Sequence, residues 1–106
     1  MKLNPDLLLG DITAKYGGTT YSSAKVALAY DCIFIAQEWF DNPAGYPIND
    51  GVSSDYLKQD LKRYIKNRVN LNKHRNNHGF IPSFVWWFIA RAVIDWIISR
   101  IIDEYL

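Results

Sequence analysis

Residues 83–105 read Ser-Phe-Val-Trp-Trp-Phe-Ile-Ala-Arg-Ala-Val-Ile-Asp-Trp-Ile-Ile-Ser-Arg-Ile-Ile-Asp-Glu-Tyr, and their periodicity decides the fold. Nearly every position is apolar, and the Ile, Val and Trp content alone favours a strand. The exceptions argue otherwise. Arg91, Asp95, Ser99 and Asp103 recur every fourth residue, a continuous polar stripe along one side of a helix, whereas the alternate positions between them (Val93, Ile97, Ile101) stay apolar and break the polar–apolar alternation of a half-buried strand. Arg100 and Glu104 form a second, smaller polar patch. The stretch is therefore predicted as a helix, entered at Pro82 or Ser83.

Working back from it, the polar run 70–79 separates this helix from another over 53–70. Ser53 suits its N-cap, and Val52 and Leu57 occupy the two positions of a hydrophobic staple. Leu57, Leu61, Tyr64, Ile65, Arg68 and Val69 mark one face, while Lys58, Lys62 and Lys66 climb another. Residues 41–52 carry Asn42-Pro43, Tyr46-Pro47 and Asp50-Gly51, which suit a loop. Before the loop, a helix over 23–40 is capped by Ser22 or Ser23 and is apolar around most of its circumference. Asp31 and Glu38 form its expected solvated edge. At the start, Asn4 is a good cap, Pro5 suits the first helical position and Gly10 a stop; Asp11 to Tyr16 adds a further turn. The expected fold is all-α: one domain, 1–106, with three main helices (about 23–40, 53–70 and 83–105) and a short N-terminal helical arm.

Composition agrees with a globular chain. Of 106 residues, 49% are hydrophobic and 22% charged, so disorder is excluded. Four Trp, seven Tyr and five Phe give a short chain enough buried area for a core. Cys32 is the only cysteine, so no intrachain disulfide forms and a reducing compartment is the simplest reading. The opening residues lack the apolar run of a signal peptide. The expected location is cytoplasmic, or a virion.

The apolar C-terminal helix admits three roles: a central core helix, an assembly interface, or a membrane anchor. The uncharged run from Asn76 to Ala90 is too short in its apolar part for a span of ~20 residues, and Arg91 and Asp95 would lie near the bilayer centre. The surface exceeds what a small bundle hides, which points to core plus interface. Trp86, Trp87, Phe88, Trp96, Ile97, Ile101 and Tyr105 are the predicted interface residues.

Convergent chemistry is sparse. His74 and His78 have helical metal spacing, but no second ligand pair accompanies them, so no metal is expected. Cys32 sits among apolar neighbours where thiols are inert. Asp31, Glu38 and Asp41 offer carboxylate pairs of the kind that chance supplies, and Gly17-Gly18 lacks the rest of a phosphate loop. No enzyme and no cofactor are expected. The segment from Lys58 to Arg75 holds seven basic residues and one acid, against a net charge of +1 for the chain. Lys58, Lys62, Arg63, Lys66, Lys73 and Arg75 therefore form the contrasting candidate, a nucleic-acid-binding face. The favoured expectation is a non-catalytic assembly subunit with protein partners, homo-oligomeric or heterologous. Its size and Asn/Ile-rich composition suit a small virion protein of a tailed phage.

Overall fold

The computed structural model describes residues 2–10, 12, 15, 21–41, 54–75 and 81–106, and among them all regular structure is helical. Among the described residues four helices follow in order: α1 (Pro5–Leu9), α2 (Ser22–Phe40), α3 (Ser54–Arg68) and α4 (Ser83–Tyr105). The all-α bundle with a short arm is as the sequence predicts. The expected turn over 11–16, apart from Ile12 and Lys15, lies outside the described residues. So do Val52 of the staple, the Ser53 cap, most of the 41–52 loop, and His78.

α2 and α4 form the centre. On α2 the inward set is Ala24, Leu28, Ala29, Cys32, Ile33, Ala36 and Trp39, spaced as one helical face. Small residues alternate with large ones there, which lets α4 approach closely. α3 adds Leu57, Leu61 and Ile65, and turns Lys62, Arg63 and Lys66 outward.

Polar tethers fix the direction of each helix. Trp39 on α2 donates its indole N–H to Asp60 at 2.9 Å, and past the end of α3 His74 bonds Asp31, so α2 and α3 run antiparallel. The Lys66–Asp95 ion pair and the Trp86 indole N–H, which donates to the Leu71 carbonyl, make α3 and α4 antiparallel as well. α2 and α4 are thus parallel, and Phe40 meets Tyr105 at their shared end with ring centroids 6.2 Å apart.

The arm closes that end. Asn4 Oδ1 accepts from the Asp6 and Leu7 amides, and Pro5 fills the first helical position, where a missing N–H costs nothing. The Leu3 amide donates to Gln37 Oε1 at 2.7 Å, the Asn4 amide to the Tyr105 hydroxyl at 2.8 Å, and Arg100 donates to the Leu7 carbonyl at 3.0 Å. Leu3, Leu8 and Leu9 then plug the gap between α2 and α4.

α2 starts differently from expectation. Tyr21, not Ser22 or Ser23, holds the N-cap position, in a left-handed conformation (φ 62°) with no side-chain cap. Such a backbone costs roughly 1–2 kcal/mol outside glycine. Packing of the Tyr21 ring against the core offsets it.

Candidate functional site

Because α2 covers one side of α4, each position along α4 is sorted by angle. Trp86, Ala90, Val93, Ile94, Ile97, Ile98 and Ile101 face inward and are buried. The opposite stripe carries Arg91, Asp95, Ser99 and Asp103, all exposed. Three, four and seven residues before Arg91, the same stripe changes character. Phe84, Trp87 and Phe88 are 78%, 48% and 83% exposed.

The predicted interface residues therefore separate. Trp87 and Phe88 stand on the surface, and Trp96 and Tyr105 are half-buried. Trp86, Ile97 and Ile101 are corrected: each is fully enclosed by this chain itself, because its angular position is the one α2 covers. The Ile-rich C-terminal half of α4 is shielded within the single chain, apart from half-buried Ile102. The apolar excess lies at the other end. Phe84 belongs to it and was not predicted, although extending the Arg91–Asp103 stripe backwards by i−3 and i−4 lands on Trp87, Phe88 and Phe84.

Beside these rings lies a cleft of about 420 Å³ between α4 and the chain leaving α3. Val69, Leu71 and Ile94 supply apolar lining and Trp87 a wall, while Lys66, Arg91 and Asp95 complete it. Lys66 and Asp95 are paired at 3.1 Å with both side chains well exposed, so this tie is weak. A second hollow of about 450 Å³, lined by Gln59, Lys62, Arg63, Lys66 and Asn67, adjoins the first at Lys66.

The turn after α3 builds the cleft wall and is pinned from three sides. The Leu71 carbonyl accepts from Trp86, Arg75 Nε donates to the Ile81 carbonyl at 2.9 Å, and His74 bonds Asp31. Lys73 reaches Asp31 as well, at 3.6 Å. His74 is thus a buried tether, and Asp31 is half-buried where a solvated edge is expected. Nothing in the sequence pairs residues 43 positions apart, so this contact was not legible.

The basic candidates also divide. Lys58, Lys62, Arg63 and Lys66 lie along α3, with Lys62 and Arg63 exposed. Lys73 and Arg75 are engaged by Asp31 and Ile81, and Arg68 lies over the Tyr64 ring at 4.2 Å.

Cys32 is buried beside Asp31, and burial first, then the neighbouring carboxylate, pushes its thiol up to about 12. At neutral pH it stays protonated and is a poor nucleophile. Among the described residues no three His, Cys, Asp or Glu side chains gather as a metal site, and no helix is long and apolar enough to cross a membrane. No family model, curated protein or solved structure matches this chain.

Proposed function

We propose that this chain is a non-catalytic interaction protein, a structural subunit that joins a larger protein assembly through the outward end of α4. One observation carries the reading: Phe84, Trp87 and Phe88 stand exposed together on a helix whose opposite face is fully buried. At 150–250 Å² per ring they offer roughly 400 Å² of aromatic surface. A contiguous patch of that size matches the largest that a typical monomer exposes, and such patches often mark a binding site. It is about half of what one partner of a standard interface contributes, ~800 Å². Aromatic rings at the centre and charged residues at the rim are also the usual anatomy of such contacts. The small size and composition of the chain suit a virion or cytoplasmic complex.

The test is the state of the protein taken from its native source, measured by size-exclusion with light scattering. The chain should travel in a particle well above its own 12.3 kDa. Phe84→Ser with Phe88→Ser should release it as a folded monomer. A wild-type chain found as a monomer contradicts the reading.

A further inference from the structure

We infer that the partner seated on this surface is an amphipathic helical segment of a different protein, with one bulky apolar side chain in the Trp87 cleft and carboxylates flanking it. The inference rests on the docking reading above and specifies its occupant.

Shape supplies the first argument. Phe84 and Phe88 make a raised apolar ridge, and the cleft beside it is concave, with Val69, Leu71 and Ile94 in its lining. A ridge next to a socket matches the helix-in-groove mode, in which apolar side chains one turn apart meet different features of the groove. A flat lipid surface makes no use of a socket.

Charge supplies the second. Lys66 and Arg91 line the cleft, and Lys62 and Arg63 border the adjoining hollow, against one carboxylate, Asp95, already held by Lys66. The rim is net positive and complements an acidic segment. It argues against a second copy of this chain, because a two-fold contact would set the same cations against their own kind. It also argues against nucleic acid. A phosphate backbone needs a row of several cations, and of those that would extend it Arg75 donates to the Ile81 carbonyl and Lys73 lies beside the Asp31 carboxylate, whose charge opposes a phosphate there.

The proposal is tested on the full chain by fluorescence anisotropy with three labelled synthetic helical peptides. They share one Leu/Phe face and carry Glu, Gln or Lys on the other. The Glu peptide should bind about tenfold more tightly than the Gln peptide, the factor that a few rim pairs of ordinary strength make together. The Lys peptide should bind more weakly still. The preference should shrink as salt is raised. Lys62→Glu with Arg63→Glu should erase the preference while leaving Gln-peptide binding intact, and Trp87→Ala should weaken all three with helicity unchanged. Equal binding of the three peptides overturns the proposal, as does binding of none, or a single-stranded oligonucleotide that outcompetes the Glu peptide. A large native particle without any acidic preference would remove this inference and leave the docking reading standing; a native monomer would remove both.

Discussion

Trp86 and Trp87 are neighbours in sequence and opposites in environment. Trp86 is fully buried and its indole N–H holds the Leu71 carbonyl, whereas Trp87 is half in water. Trp86→Ala should therefore cost about 3–5 kcal/mol, cavity and orphaned carbonyl together, in urea unfolding. Trp87→Ala should cost less, about 2 kcal/mol on the same scale, since half of its ring is already solvated. Equal losses would contradict the assignment of inner and outer stripes. Cys32 gives a second check. Its thiol in the folded chain titrates near 12 against 9.0 unperturbed, so the unfolded chain loses that proton first as pH rises. Its contribution to stability is fully present below about pH 9 and falls away toward pH 12, by at most about 1.4 kcal/mol per pH unit. Cys32→Ala should flatten that part of the alkaline slope, and the native thiol should resist a maleimide that labels it promptly in urea. Asp31 and His74 tie α2 to the turn after α3. Removing either partner should cost about 1.5–3 kcal/mol, the range for hydrogen bonds to charged groups, and the two losses should not add in a double-mutant cycle.

At the scale of elements, α4 serves two purposes that its sequence separates by angle. Its polar outer stripe could be read in advance from the recurrence of Arg91, Asp95, Ser99 and Asp103 at every fourth residue. Its boundaries, 83–105, were legible for the same reason. What the periodicity left open was which apolar residues α2 would cover. Trp86, Ile97 and Ile101 look as sticky as Trp87 and Phe88 in composition, and only the position of α2 tells them apart. The arm was legible too, because Asn4 and Pro5 are local signals. Its docking onto Gln37 and Tyr105 was not, because such contacts depend on which ends of α2 and α4 coincide. Asn4→Ala should remove the cap and cost about 1 kcal/mol. Its clearest readout is faster hydrogen exchange at the Leu7 amide, with the centre of α4 unaffected.

For the whole molecule, burial is uneven along its length. The end closed by the arm, Phe40 and Tyr105 is sealed by packing and by hydrogen bonds from three elements. The other end of α4 carries its aromatic rings outward, beside a cleft and a positive rim. Those rings contribute little to folding, so Phe84→Ser with Phe88→Ser should leave the unfolding midpoint nearly unchanged and should improve solubility. The docking role is tested most directly by site-specific photocrosslinking in the native source, with a benzophenone side chain at Phe88 and, as the control on the same stripe, at Ser99. The account predicts a discrete protein adduct at 88 and none at 99. Adducts at neither position, or identical adducts at both, would contradict it.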